Sequence, residues 1–184
     1  MNKKVIIAII AVVAIIAVIV GAIMLLGKKD NKDDNGIKLE TEQEMKDLID
    51  KMYENLAGKL PSLQTYDVNK ENKEEVSIYT GLKDTSNVEK VVVSEPMMNA
   101  QAYSLVMVKT TAGADVEAMK QEMIDNIDVR KWICVSAEKV YVTNYKDVIF
   151  LVMSDEEWAK PVYDEFKNLV GGKVGKELVR TEEI

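Results

Sequence analysis

Apolar residues are distributed along this chain in two different ways. From Val5 to Leu26 they form an unbroken block of Val, Ile, Ala, Leu and Met, interrupted only by Gly21. At 1.5 Å rise per residue a helix of that length spans about 33 Å, enough for a hydrocarbon core of about 30 Å. Backbone polar groups in lipid must be satisfied within the segment, so a helix is the expected form. Beyond Lys28 the apolar positions recur with the short periods of a folded domain.

The first of these periods is helical. Thr41 with Glu44 forms a capping box, and Met45, Leu48, Ile49, Met52, Tyr53 and Leu56 make one stripe that Gly58 and Pro61 close. Leu63 to Val68 predicts a short strand. Asn69 is read as the N-cap of a brief helix through Glu75, and Tyr79-Thr80-Gly81 closes that section. Val88 to Val93 reads as a strand stopped by Ser94-Glu95-Pro96, and Ala100 to Lys109 as the next strand, turned by Ala112-Gly113. Asp115 caps a second amphipathic helix with Val116, Met119, Met123, Ile124 and Ile127 on one side. The pattern leaves the form of Trp132 to Val135 open.

A hairpin follows, Glu138 to Thr143 and Asp147 to Met153, joined by Asn144-Tyr145-Lys146. Ser154 with Glu157 gives a second capping box. It opens a helix with Trp158, Val162, Phe166, Leu169 and Val170 inward, in which Pro161 is expected to cause a kink or a restart. Gly171-Gly172 ends it, and Val174 to Arg180 is either an edge strand or a frayed tail. From Ala100 onward this order is β-α-β-β-α and then the tail. The expected fold class is α+β: an N-terminal transmembrane helix followed by one two-layer domain. An antiparallel sheet carries helices on one face, in a split βαβ arrangement close to ferredoxin-like.

Residues 1–4 read as a cytoplasmic tail, 5–27 as a transmembrane signal anchor, 28–40 as a polar juxtamembrane linker and 41–184 as an extracytoplasmic domain. The boundary Leu-Leu-Gly-Lys-Lys has no small-residue cleavage site, and the apolar run is longer than a secretory core, so the anchor is expected to be kept. Lys28, Lys29 and Lys32 outnumber Lys3 and Lys4, which favours a cytoplasmic C-terminal side. A four-residue tail with its own amino charge is nevertheless the simpler segment to leave inside. The expected orientation in the cytoplasmic membrane is therefore N-terminus inside and domain outside, with the bilayer as the partner of residues 5–27.

Charge narrows the partners. The chain has 24 Lys+Arg against 31 Asp+Glu, a net of −7, and without Lys3 and Lys4 the balance is 22 against 31, or −9. With Arg130 and Arg180 as the only arginines, the footprint of a nucleic-acid binder is missing. Adhesion to anionic headgroups is disfavoured for the same reason. The absence of histidine excludes Ser–His–Asp, Cys–His and zinc–histidine chemistry. The single cysteine, Cys134, excludes an intramolecular disulfide and reads as a small buried hydrophobe beside Ile133 and Val135.

Several patterns remain as candidate chemistry. Asn31, Asp33, Asn35, Gly36 and Glu42 fall at positions 1, 3, 5, 6 and 12 of a calcium loop, with Ile37 at position 7, where the backbone carbonyl binds. Asn at position 1 and Lys38 at position 8 depart from the pattern, and a solvated linker is the preferred reading. No other cofactor is expected. Gly171 to Lys176 lacks the spacing of a phosphate loop. A Ser–Lys dyad needs no histidine, and Ser94 or Ser104 would be its nucleophile. Pro96, Met97 and Met98, with Tyr103 nearby, are the candidate contact positions for a protein partner. Core filling competes with that reading, since eight of the ten methionines lie beyond the anchor.

The anchor, the Met45–Leu56 helix, Tyr79-Thr80-Gly81-Leu82, the strand ending Val106-Met107-Val108-Lys109, the helix after Asp115 and the closing VYVTNYKDVIFLVMSDEEW occur together. In that layout most of residues 40–170 resembles small membrane-anchored extracytoplasmic domains of unknown function from clostridia-like Gram-positive bacteria, often carried by lipoproteins. This chain departs in having a helical anchor instead of a lipobox cysteine. The resemblance implies an envelope location and brings no catalytic residues. The expected function is a membrane-tethered interaction or structural module that binds an envelope protein or peptide. A histidine-free Ser–Lys hydrolase and a calcium-dependent envelope module are the alternatives.

Overall fold

A six-stranded antiparallel sheet organises the domain, in the order β1-β2-β3-β5-β4-β6. The computed structural model describes residues 36–98 and 100–182. The anchor over 5–27 and most of the linker, with Asn31, Asp33 and Asn35, lie outside the described residues. In chain order the elements are α1 (Glu42–Asn55), β1 (Leu63–Val68), α2 (Lys73–Thr80), β2 (Val88–Pro96), β3 (Tyr103–Thr110) and α3 (Val116–Asn126). They continue with β4 (Lys139–Tyr145), β5 (Val148–Ser154), α4 (Glu156–Leu169) and β6 (Leu178–Thr181). Among the described residues no helix is long and apolar enough to cross a membrane.

The fold is α+β as expected, but the helices do not gather on one face. Met45, Leu48, Ile49 and Met52 of α1 and Val162, Tyr163 and Phe166 of α4 pack on Val92, Leu105, Met107, Phe150 and Val152. Val76 of α2 and Met119, Met123 and Ile124 of α3 pack on the alternate residues Val91, Val93, Val106, Ile149 and Leu151. Successive side chains of a strand point to opposite faces, so these are two cores on the two sides of one sheet. That is why β3 and β5 are buried along their whole lengths, with unbroken apolar stretches over Leu105–Val108 and Val148–Met153.

Topology accounts for the division. The chain passes from β3 through α3 to β4, with β5 inserted between, which is the expected split βαβ. It then passes from β5 through α4 to β6, with β4 between. Both crossovers step the same way across the sheet, yet β5 is antiparallel to β3. Right-handed crossovers from oppositely directed strands moving the same way place their helices on opposite faces. In a ferredoxin-like fold the closing strand would return to the free edge of β3. Here β2 occupies that edge, and β6 pairs with β4 instead.

Local boundaries follow from hydrogen bonds that the residue pattern does not show. The Thr41 capping box is present, with Glu44 N–H donating to Thr41 Oγ1 at 3.1 Å. Asn72, not Asn69, caps α2, because Asn69 Oδ1 accepts from Glu71 N–H at 3.0 Å and closes a turn one step earlier. Ser154 stays in β5 and donates to the Ala102 carbonyl at 2.6 Å, so the N-cap of α4 is Asp155 and the second capping box does not form. Helix α4 runs on through Pro161. β2 extends to Pro96 because its last residues pair only with β1, leaving an edge where a missing N–H is tolerated. The hairpin turn is Lys146-Asp147, with Lys146 at φ 54°, since Tyr145 already pairs with Val148. The tail does form an edge strand.

The two ends of the sheet differ. At the C-terminal end of β3, Lys109 Nζ binds Glu40 at 2.6 Å and Asp147 at 2.8 Å, so the chain enters the domain at this pole. At the opposite pole lie the ends of β2 and β5, the start of β3, the start of α4 and the loop 127–138.

Candidate functional site

The exposed apolar residues single out that far pole. Among the described residues five large hydrophobics are exposed, and three belong here: Met97 (75%), Met98 (65%) and Ile133 (66%). Core filling is therefore excluded for the two methionines, which leave the sheet just past Pro96. Tyr103 does not join them. It is fully buried, and its hydroxyl shares a 3.0 Å hydrogen bond with that of Tyr53, with burial raising its pKa well above the usual range. Ile133 was not among the expected contact positions. Its signal was the apolar run Trp132 to Val135, whose form the periodicity left open.

Beneath the loop 127–138 is a polar network. Lys131 forms an ion pair with Glu95 of β2, donates to Ser104 Oγ of β3 at 3.1 Å and lies 4.8 Å from the centroid of the Tyr79 ring. The Tyr79 hydroxyl meets that of Tyr66 at 2.9 Å, and Tyr66 donates to Glu95 at 3.5 Å. These residues share one face because Tyr66, Glu95 and Ser104 occupy same-side positions on three neighbouring strands. The Lys131 and Glu95 side chains are 12% and 17% exposed. Burial pulls the Lys131 pKa down, and the Glu95 carboxylate opposes that shift. The loop that displays Ile133 is thus held by a nearly buried ammonium, paired with Glu95 and bonded to Ser104.

Of the two serines proposed for a Ser–Lys dyad, one does meet a lysine. Ser104 is the acceptor from Lys131, whereas Ser94 lies on the other face, accepting from Thr65 Oγ1 at 3.1 Å. A lysine base must be neutral and a nucleophile must be reached by substrate. The lowered pKa of Lys131 fits the first need, and its pairing with Glu95 opposes it. Ser104 is fully buried, out of a substrate's reach. The geometry is that of a pin between a loop and a sheet.

Cys134 is not a buried hydrophobe. It is exposed, with φ 60°, in the left-handed region that a non-glycine residue seldom occupies. Behind it a cleft of about 320 Å³ is lined by Ala100, Ala102, Val135, Asp155 and Trp158 among others. Of the calcium-loop positions, Ile37 packs against the α1–α4 core and Glu42 opens α1. Among the described residues no group of three or more Cys, Asp or Glu side chains converges to hold a metal. The segment Gly171–Lys176 is fastened to the domain. The fully buried Lys120 donates to the Lys176 carbonyl at 2.8 Å and to Asn144 Oδ1 at 2.7 Å, and Gly175 N–H donates to the Asn144 carbonyl at 2.8 Å.

No family model matches the chain, and no curated protein or solved structure matches it either.

Proposed function

We propose that this chain is a single-pass membrane protein of the Gram-positive type of envelope, allied to the anchored extracytoplasmic domains it resembles. Residues 5–27 hold it in the cytoplasmic membrane with the N-terminus inside. The domain stands outside and binds an envelope protein or peptide through its far pole. The observation that carries this reading is the exposure of Met97, Met98 and Ile133 at one end of an otherwise well-buried domain. Methionine is flexible and polarisable and suits surfaces that bind other proteins. The test is a photo-reactive amino acid in place of Met98 in living cells. A defined envelope protein crosslinked at Met98, and not at exposed Lys51 on α1, is the expected result. Equal crosslinking at both positions, or none at Met98, overturns the reading.

One observation favours a second reading, a Ser–Lys hydrolase: the 3.1 Å contact from Lys131 to Ser104, with the lysine pKa lowered by burial. A covalent serine probe distinguishes the two. Labelling that disappears in Ser104→Ala favours the enzyme. Absence of labelling, with the Ser104→Ala variant still binding its partner, favours the module.

A further inference from the structure

We infer that the cleft behind Cys134 receives a lysine or arginine side chain from a basic, amphipathic segment of the partner. Asp155 would accept the cation, and Met97, Met98 and Ile133 would form the apolar lip. The inference rests on reading the domain as a protein-binding module.

Asp155 is the first ground. An aspartate at an N-cap ordinarily accepts from an N–H in the first turn of its helix. Asp155 has the extended backbone of an N-cap, φ −60° and ψ 148°, yet its side chain makes no capping hydrogen bond. The Glu156 N–H, the first of the helix, donates to Glu138 Oε2 at 3.3 Å. Asp155 is exposed at the cleft, which it lines together with the apolar Trp158, Ala102 and Val135.

The second ground is charge. Burial first, then the Glu138 and Glu157 carboxylates, raises the Asp155 pKa, and no cation acts to lower it. Lys139, the nearby lysine, pairs with Glu156 at 3.7 Å and donates to Thr181 at 3.0 Å. The positive end of the α4 dipole opposes a bound cation with about half a charge. Asp155, Glu156, Glu157 and Glu138 at the same helix end outweigh it. An aromatic wall adds to cation binding at partly desolvated sites. The domain's net negative charge steers a basic partner toward it.

The third ground is continuity. Ala100 and Gln101 of the cleft follow closely on Met97 and Met98 in the chain, and Cys134 and Val135 follow directly on Ile133. A cationic side chain in the cleft would therefore leave its apolar neighbours against the exposed lip. Alternating basic and apolar residues are the pattern that fits.

The full chain in nanodiscs of zwitterionic lipid would be titrated with a fluorescent decapeptide of alternating leucine and lysine, with empty nanodiscs as the blank. Peptides with glutamate or serine in place of lysine serve as comparisons. The lysine peptide is expected to bind, the serine peptide to bind roughly tenfold more weakly, and the glutamate peptide not to bind. Asp155→Asn keeps a side chain suited to an N-cap, so the fold survives, and it should weaken the lysine peptide roughly tenfold without affecting the serine peptide. Equal binding of the lysine and serine peptides, or no effect of Asp155→Asn, overturns the inference. If the lysine peptide fails while an envelope protein still crosslinks at Met98, the cleft assignment falls and the docking pole stands. If both fail, both readings fall.

Discussion

At the residue scale two positions carry testable weight. Gly81 ends α2 with φ +75°, and a Cβ there would lie 2.7 Å from the Ile127 backbone nitrogen and 3.0 Å from the Met123 carbonyl oxygen. Gly81→Ala meets both a left-handed backbone and an immovable neighbour, so it should destabilise the domain by about 2 kcal/mol or more in urea unfolding. The sequence pattern ends the helix at Glu75 and gives Gly81 only the close of that section, whereas the helix runs on to Thr80. The approach of α3 depends on tertiary packing and leaves no local trace. Glu44 gives the second prediction. Its carboxylate accepts from Glu40 N–H at 2.7 Å and Thr41 N–H at 3.0 Å, and these bonds, the Glu40 one foremost, hold its pKa below the ordinary glutamate value. The folded pKa lies below the unfolded one, so the stabilisation is complete above the ordinary glutamate pKa. It is lost as pH falls through the depressed value. Glu44→Gln keeps an acceptor but cannot titrate. Its urea midpoint should converge with that of the wild type between about pH 5 and about pH 3.

At the element scale the loop 127–138 is the part least legible in sequence and the most consequential. It has no regular period because it is ordered from below, by Lys131 against Glu95, Ser104 and Tyr79. Lys131→Met would leave Glu95 facing a low-dielectric pocket without its partner. The expected loss is about 2 kcal/mol, reduced from the fully buried case by the pair's residual exposure. Proteolysis should then cut first between residues 127 and 138, and the double variant Lys131→Met/Glu95→Gln should recover part of the loss. Cleavage elsewhere first would show that the pin does not hold the loop. Two of the three strand–helix junctions teach the same lesson. Asn69 and Ser154 have the chemistry of N-caps, but a turn and a strand register claim them before a helix can.

At the scale of the whole molecule, the element order was legible and the layering was not. The strands β2 to β5 come from β-branched or apolar runs and α1, α3 and α4 from a 3.6-residue stripe, while α2 is read from an N-cap alone and β6 stays open. Which face α4 covers depends on where β6 pairs. Four residues, Leu178–Thr181, decide that. With both faces of the sheet covered, ligands and partners are left with its edges and poles. Exposed Cys134, the only cysteine in the chain, reports which side of the membrane such a pole occupies. A membrane-impermeant maleimide should label it in intact protoplasts, and Cys134→Ser should abolish the label. Labelling only after lysis would place the domain in the cytoplasm and overturn the proposed orientation.

The chain enters the domain beside Lys109, and the cleft opens at the other end of β3, at Ala102, about seven residues or about 23 Å away. A partner pulling at the cleft against a tether at residue 36 would therefore pull along the strands. The ladder hydrogen bonds lie across the strands, so such a load shears many of them together instead of peeling them apart one by one. On the function proposed above, the domain would be a mechanically stiff link between its membrane anchor and the partner it holds.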